Sequence, residues 1–192
     1  MTNSKQWNLE SNLSENAKTQ IFQWANSRVK VSRNSWDIDF ILQAYLVSNR
    51  SLDAQTKCGC VLVRDKTIIG TGYNSFIRNI DDSVLPNVRP DKYPFMIHAE
   101  HNAILNCAKN GISCEGATVY ITGQTCASCI QYMYQAGISG ICYGGYEIPH
   151  MMQNKQYDTQ FEILSHLMKN FKIVTLDFDE ETLEKIRKIK SC

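Results

Sequence analysis

One histidine and two cysteines, far apart along the chain, constrain this sequence more than any other feature. His98 is followed two residues later by Glu100, and Cys126 and Cys129 form a C-x-x-C pair. An imidazole and two thiols are ligands that suit Zn²⁺. If all three bind one ion, the fold must bring two distant segments together. Three protein ligands leave a tetrahedral position open for water, which is typical of a catalytic zinc site.

Both halves of this candidate site fall where a helix is predicted to begin. Apolar periodicity predicts one helix from about Ala99 to Asn110 and another from about Cys126 to Ala136. The i, i+3 spacing of the two cysteines puts both sulfurs on one helix face. A helix N-terminus favours thiolate over thiol, which helps to hold anionic ligands. Thr125 directly precedes the pair and is predicted to cap the second helix through its hydroxyl.

Glu100 is placed to take a proton from zinc-bound water and is not expected to be a ligand. Two thiolates and a neutral imidazole bring Zn²⁺ to a formal charge of zero. Such an ion is a weaker Lewis acid than one bound by neutral histidines, so it benefits from a nearby base. The alternative is a structural zinc with a fourth ligand, for which Cys107, Cys114 and His101 are candidates. That alternative gives Glu100 no role.

Composition indicates one domain with a proper core and reduced cysteines. The chain has 192 residues, of which 43% are hydrophobic. A net charge of +1 gives no electrostatic argument for nucleic-acid or membrane binding, and no apolar stretch is long enough to span a bilayer. Residues 1–10 are polar, without a signal segment, so we predict a cytoplasmic protein. The other cysteines are expected to be small apolar fillers or exposed thiols: Cys58, Cys60, Cys107, Cys114, Cys142 and Cys192.

The rest of the sequence predicts helices that alternate with strands. Further helices are predicted over residues 14–30, 36–49, 156–170 and 179–190. A hairpin is predicted at 60–63 and 67–69, with its turn at Asp65 and Lys66, and strands follow at 117–122, 140–143 and 171–175. Residues 75–94 hold three of the four prolines and are predicted to be a functional loop or an insertion. This order implies an α/β fold with a mixed sheet between helices.

The H-x-E triplet followed by C-x-x-C is a signature of zinc deaminases, and the chain resembles the cytidine-deaminase superfamily. Within it, the chain is similar to the deoxycytidylate (dCMP) deaminases. Segments that carry this narrower resemblance are Ser35-Trp36-Asp37, Asn49-Arg50-Ser51, Lys57 to Val63, Gly72-Tyr73-Asn74, Asp81 to Pro86, Asp91 to Phe95, His98 to Ile104 and Gln135 to Ile138. The resemblance runs from about residue 36 to 146 and, more weakly, to about 175.

The resemblance implies a three-layer α/β/α sandwich with a five-stranded mixed sheet. The chain would then comprise an N-terminal helical extension at 1–35, a deaminase domain at 36–176 and a C-terminal helical tail at 177–192. It also implies that His98, Cys126 and Cys129 bind Zn²⁺ and that Glu100 shuttles protons. The implied reaction is hydrolytic deamination of dCMP to dUMP and ammonia, which supplies dUMP for thymidylate synthesis.

Four further residues acquire roles from the resemblance alone. The backbone N–H of Ala99 would hold the pyrimidine carbonyl, and Asn74 would bind the deoxyribose 3′-hydroxyl. Tyr146 would touch the 5′-phosphate, and Arg50 would add charge there. The resemblance also implies a homo-oligomer, either a hexamer or a dimer, with a small-molecule nucleotide as substrate.

Two departures from the family's usual pattern concern the site's surroundings. Thr125 stands where the family usually has proline. The segment Ser75 to Asn79 has no glycine, whereas members regulated by nucleotides often carry a glycine-rich segment here. Because glycine best permits a backbone to approach a phosphate, this segment argues against the dCTP and dTTP effectors that the resemblance implies.

Two alternative functions stay open at this point. The first is a deaminase of another base or nucleotide form, such as dCTP, cytidine, guanine or adenosine in tRNA. The near-neutral charge favours a free nucleotide over tRNA. The second is a zinc-stabilised nucleotide-binding module that has lost catalysis. The intact Glu100 argues against this second alternative.

Overall fold

Helices alternate with strands along most of the computed structural model, which describes residues 29–30, 35–144, 168 and 170–191. A 3₁₀ turn lies at Asp82–Val84. The elements in chain order are β1 (Val29–Lys30), α1 (Trp36–Ser48), β2 (Gly59–Arg64), β3 (Thr67–Tyr73), α2 (Ala99–Lys109), β4 (Thr118–Ile121), α3 (Ala127–Gln135), β5 (Gly140–Gly144), β6 (Lys172–Asp177) and α4 (Glu180–Lys190). The predicted helices at 36–49, 99–110, 126–136 and 179–190 are therefore confirmed to within a residue or two at their ends.

The strands form one mixed sheet in the order β1-β6-β5-β4-β2-β3. Strands β1, β6, β5 and β4 run parallel to one another, whereas β2 is antiparallel to both β4 and β3. The predicted five-stranded mixed sheet is confirmed, and the two-residue β1 adds a short edge strand. The helix predicted at 14–30 is wrong at Val29 and Lys30, where pairing with β6 overrides helical periodicity. The rest of that helix, and the helix at 156–170 except residues 168 and 170, lie outside the described residues.

The β2–β3 hairpin turns where the sequence predicts it. Asp65 and Lys66 have φ angles of 50° and 59°. Two successive left-handed residues form the kind of hairpin turn that matches the right-handed twist of the flanking strands. The register shifts between Leu62 and Val63, so the hairpin contains a bulge.

Alternation along the strands builds one apolar core on each face of the sheet. Cys60 and Leu62 of β2 face α2 and α3, whereas Val61 and Val63 face α1 and α4. The three-layer arrangement is thereby confirmed. Ile186 of α4 is fully buried in the second core, so this helix packs as part of the sandwich. The division of the chain at residues 35 and 176 stays a prediction.

Close packing joins α2 to the sheet at Gly72 of β3. A side-chain carbon at this glycine would collide with the carbonyl oxygen of Ala99 and with the backbone of Ala103. Helix α2 therefore lies against β3 at a distance that only glycine allows. This contact fixes the N-terminal turn of α2, where His98 and Glu100 are found.

Most of the cysteines that were predicted to be small apolar core residues are buried, as the composition suggests. Cys60, Cys107, Cys114 and Cys142 are buried free thiols, and Cys58 is half-buried. Cys192 lies outside the described residues. None of the helices in the described part of the chain combines the length and the hydropathy needed to cross a bilayer.

The connecting segment, residues 75–97, links β3 to α2 with little regular structure, as predicted. Its ends pair through a bridge between Ser75 and Ile97. Its middle is tied to the loop after α1, where the Nζ atom of Lys92 lies 2.5 Å and 2.6 Å from the two carboxylate oxygens of Asp53. Both side chains are only 3% exposed, so a buried ion pair holds the segment.

Candidate active site

The predicted metal ligands lie at the N-termini of two neighbouring helices. His98 is the N-cap residue of α2, and Cys126 is the N-cap residue of α3. The Sγ atom of Cys126 accepts a hydrogen bond from the backbone N–H of Cys129 at 3.4 Å. The prediction that Thr125 caps α3 is therefore wrong, because the helix begins one residue later and a sulfur takes the capping position.

The structure brings the three predicted ligands together. The Nδ1 atom of His98 lies 3.3 Å from Cys129 Sγ and 3.5 Å from Cys126 Sγ. All three donor atoms lie within 4.8 Å of one another. A tetrahedral Zn²⁺ with bonds of about 2.0 Å to nitrogen and about 2.3 Å to sulfur places such atoms about 3.5 Å apart. The donor set and its spacing therefore fit zinc.

No fourth ligand completes the group within the part of the chain that the structure describes. The cluster contains only the imidazole of His98 and the thiols of Cys126 and Cys129. Cys107, Cys114 and His101, the candidates for a structural site, do not join it. The geometry therefore favours a site with an open position over a closed, structural one.

Hydrogen bonds link the ionisable groups of the three predicted ligands. Cys129 and His98 hydrogen-bond to the sulfur of Cys126 and lower its pKa to about 4. The pKa of Cys129 is raised because Cys126 holds its proton and because it is buried. The pKa of His98 is raised by its hydrogen bond to Cys126. Binding of a metal ion must displace these protons, so its affinity falls as the pH falls.

Glu100 lies beside the ligands without belonging to them. It is the second residue of α2, and its side chain is 3% exposed. Burial raises its pKa, and the nearby His98 opposes that shift. A buried carboxyl group with a raised pKa next to a metal-type cluster is typical of a residue that transfers protons.

The backbone N–H of Ala99 has the geometry expected of a ligand donor. Ala99 is the first residue of α2. The N–H groups in the first turn of a helix have no partner within that helix, and they point along the axis towards the helix end. The donor therefore faces the end of α2 that carries His98.

Hydrogen bonds to neighbouring residues hold the side chain of Asn74 in place. Its Nδ2 atom donates to Asp53 Oδ2 at 3.0 Å and to the carbonyl oxygen of Thr56 at 2.9 Å. Its Oδ1 atom accepts from the backbone N–H of Cys58 at 2.7 Å. Since both amide hydrogens are used, only the second lone pair of Oδ1 is free for another contact. A sugar hydroxyl could donate to it.

Arg50 lines a cavity of about 290 Å³ between the loop after α1 and the start of the connecting segment. The cavity is also lined by Arg78, Tyr73 and Ser75. The Nδ2 atom of Asn102 in α2 donates to the carbonyl oxygen of Tyr73 at 2.7 Å and to Oγ of Ser75 at 3.0 Å. Arg78 also hydrogen-bonds to Asn106 of α2. Among the described residues, the guanidinium of Arg50 has no hydrogen-bond or ion-pair partner. Tyr146 lies outside the described residues.

Sequence reasoning missed the groups that support the site. Lys92 and Asp53 are 39 residues apart in loops, so no period links them. Arg78 lies in the glycine-free part of the connecting segment. Of these residues, only Lys92 falls within a segment that carries the family resemblance, Asp91 to Phe95.

Replacement of one ligand should remove the metal. We expect Cys129→Ala to reduce bound zinc from one ion per chain to nearly none, because two ligands remain where a catalytic site needs three. Zinc content after gel filtration measures this. Cys142→Ala is the matched control, since Cys142 is a buried free thiol on the opposite face of the sheet, and it should keep its zinc. Equal zinc in both variants would contradict the assignment of Cys129.

Comparisons with a family profile and with known proteins point to the same family. The family profile described as "Cytidine and deoxycytidylate deaminase zinc-binding region" matches residues 34–145. Human deoxycytidylate deaminase is 31% identical over 147 residues, which cover 73% of this chain and 77% of the human protein. ComE operon protein 2 of Bacillus subtilis is 37% identical over 117 residues, which cover 59% of this chain. The match spans about three fifths of the Bacillus protein, 61% of its length.

Solved structures agree at the level of the fold. The dCMP deaminase of cyanophage S-TIM5, in complex with dCMP and dUMP, superposes with a TM-score of 0.59 at 21% identity. The superposition covers 75% of this chain and 100% of the phage chain.

Proposed function

Since the chain belongs to the cytidine and deoxycytidylate deaminase family, we propose that it hydrolyses dCMP to dUMP and ammonia. One observation carries this proposal. A buried Glu100 carboxyl lies beside a His98–Cys126–Cys129 cluster whose geometry fits Zn²⁺ with an open position. The likeness to human deoxycytidylate deaminase over most of both chains supports dCMP as the substrate.

The residues of the site divide the reaction between them. His98, Cys126 and Cys129 would hold Zn²⁺, which when bound would supply a water molecule of lowered pKa as the nucleophile at neutral pH. Glu100 takes a proton from that water and gives it to N3 of cytosine, while the water oxygen bonds to C4. Glu100 then carries the second proton to the amino nitrogen, the C4–N bond breaks and ammonia leaves. The Ala99 N–H holds the pyrimidine carbonyl during both steps.

Contacts to the rest of the nucleotide come from the connecting segment and its neighbours. Arg50 binds the 5′-phosphate, and the adjoining cavity is large enough for a phosphate group. Asn74 accepts a hydrogen bond from the 3′-hydroxyl through the free lone pair of Oδ1. The family resemblance supports Tyr146, which lies outside the described residues, as a second proposed contact to this phosphate. The support for Arg50 is its guanidinium, which is unpaired among the described residues, at the wall of the cavity.

Removal of Arg50 should weaken phosphate binding selectively. We expect Arg50→Ala to raise KM for dCMP by about 10-fold to 100-fold, the worth of a hydrogen bond to a charged group. Activity on deoxycytidine, which lacks the phosphate, should change little. Steady-state kinetics on both substrates measure this. Arg187→Ala, on the exposed side of α4, should leave both unchanged. An equal loss on the two substrates would argue against a phosphate contact.

A substrate panel tests the proposed function directly. The zinc-loaded protein is assayed for ammonia release with dCMP, dCTP, deoxycytidine, cytidine, guanine and tRNA. We expect dCMP to give the highest kcat/KM. A better substrate would reassign the enzyme within its family, and one zinc per chain without any deamination would instead support a catalytically inactive nucleotide-binding module.

Oligomeric state and effectors stay predictions that the same preparation can test. A hexamer or a dimer is measured as mass in solution. Assays with added dCTP and dTTP test regulation, against which the glycine-free segment argues. Within this segment Asn79 adopts a φ of 63°, a left-handed conformation that asparagine tolerates. A cytoplasmic location is compatible with zinc-binding thiols and free cysteines, which need reducing conditions.

A further inference from the structure

Thr125 carries a buried hydroxyl that the fold itself does not use. The residue is 3% exposed. Its Oγ1 atom is shielded from solvent and has no hydrogen-bond partner within the described part of the chain. Buried hydroxyl groups are nearly always paired, because an unpaired one is costly. An orphan of this kind needs an explanation at a site where a proton is moved.

The hydroxyl is not consumed by the neighbouring helix. Helix α3 is capped by the sulfur of Cys126, which accepts from the N–H of Cys129. Thr125 precedes that cap by one residue and so lies outside the helix. Capping, the usual structural reason for a threonine at a helix start, is therefore absent.

Thr125 directly precedes Cys126, whose sulfur lies 3.5 Å from the Nδ1 atom of His98, and the carboxylate of Glu100 lies beside these ligands. Thr125 lies close enough to stabilise the charged form of that carboxylate and to lower its pKa, against the larger opposing effect of burial. The contact between the hydroxyl and the carboxylate does not meet hydrogen-bond geometry in this structure. Catalytic hydrogen bonds often tighten only when substrate is bound.

We propose that Thr125 is a positioning residue whose hydroxyl donates a hydrogen bond to one oxygen of the Glu100 carboxylate during turnover. The inference rests on the proposed deaminase function. The terminal torsion of a glutamate side chain is broad, so a carboxylate without a fixed partner samples many orientations. A donor on one oxygen fixes the plane of the carboxylate and leaves the other oxygen to carry protons between water and the nucleotide.

This role differs from simple packing in what it demands of the side chain. Packing needs the volume of threonine, which valine reproduces closely. Positioning needs the hydroxyl, which serine keeps and valine lacks. The pair of variants Thr125→Val and Thr125→Ser therefore separates the two roles.

The experiment measures kcat and KM for dCMP, zinc content and thermal midpoint for wild type, Thr125→Val and Thr125→Ser. We expect Thr125→Val to lower kcat about tenfold, as loss of a hydrogen bond to a charged group does, with KM within about twofold. Zinc should stay at one ion per chain and the thermal midpoint should not fall, because a buried unpaired hydroxyl is replaced by a methyl group. Thr125→Ser should recover kcat to within about threefold of wild type. Thr182→Val, a buried threonine on α4, serves as the control and should keep the wild-type kcat.

Three results would overturn the inference: an unchanged kcat in Thr125→Val, a serine variant as impaired as the valine variant, or loss of zinc in Thr125→Val. An inactive wild-type enzyme in the same dCMP assay would overturn the proposed function and this inference together. An active wild type with a fully active valine variant would overturn the inference alone.

Discussion

Replacement of Glu100 by alanine should lower kcat for dCMP by about 10⁴-fold or more, while one zinc ion per chain stays bound. The reason is that in the proposed mechanism one carboxyl serves twice, first as the base for water and then as the acid for the leaving ammonia. General acid–base catalysis contributes about 10²-fold to 10⁴-fold for a single transfer. Because Glu100 is not among the three ligands, its removal leaves the metal set intact.

The measurement pairs ammonia release with zinc content in the same preparation. Glu184→Ala is the matched control, since Glu184 is half exposed on α4 and should retain wild-type turnover. A Glu100→Ala variant that keeps more than about one hundredth of the wild-type rate would rule out Glu100 as the proton carrier, because it would exceed even the lower end of a single transfer. Loss of zinc in this variant would instead show that the carboxylate helps to hold the metal.

Replacement of Lys92 by methionine should lower the free energy of unfolding by about 3–5 kcal/mol, the usual cost of removing one partner of a buried ion pair. The ammonium of Lys92 contacts both carboxylate oxygens of Asp53, and each side chain is 3% exposed. Burial raises the pKa of Asp53, but hydrogen bonds from Lys92 and from the backbone of Gln55 and Thr56 outweigh this effect. The net pKa is lowered, so the carboxylate is charged. Without Lys92 that charge is buried and unpaired.

Urea unfolding at neutral pH measures this effect. Lys185→Met is the matched control, because Lys185 pairs with Glu181 on the surface with side chains 50% and 43% exposed. Exposed pairs of this kind contribute about 0–1 kcal/mol. The double variant Asp53→Asn with Lys92→Met should recover part of the loss, since it removes the stranded charge. Equal losses in Lys92→Met and Lys185→Met would show that burial does not strengthen the pair.

The zinc site could be predicted because its chemistry restricts which residue types can serve. Few side chains bind zinc, so one His-x-Glu and one C-x-x-C had to converge, and the helices that carry them are strongly periodic. The hairpin turn at Asp65 and Lys66 was predictable for a similar reason. Two β-rich segments separated by two residues leave little choice of turn.

The features that sequence analysis missed depend on contacts between loops. The Lys92–Asp53 pair joins irregular segments, which have no periodicity to reveal their partners.

The cap of α3 moved by one residue, from Thr125 to Cys126, because a cysteine sulfur took a position that hydroxyl and carboxyl groups usually occupy. That shift of one residue left the hydroxyl of Thr125 free for the site.

The close contact at Gly72 has a consequence for reading variant data. Helix α2 rests on a strand residue with no side chain, so any larger residue there would push away the turn that bears His98 and Glu100, the proposed zinc ligand and proton carrier. In a saturation scan scored by turnover, Gly72 would therefore group with the chemically active residues, although it has no functional group of its own. A map of intolerant positions would overstate the extent of the reaction centre by including the surface on which it is built.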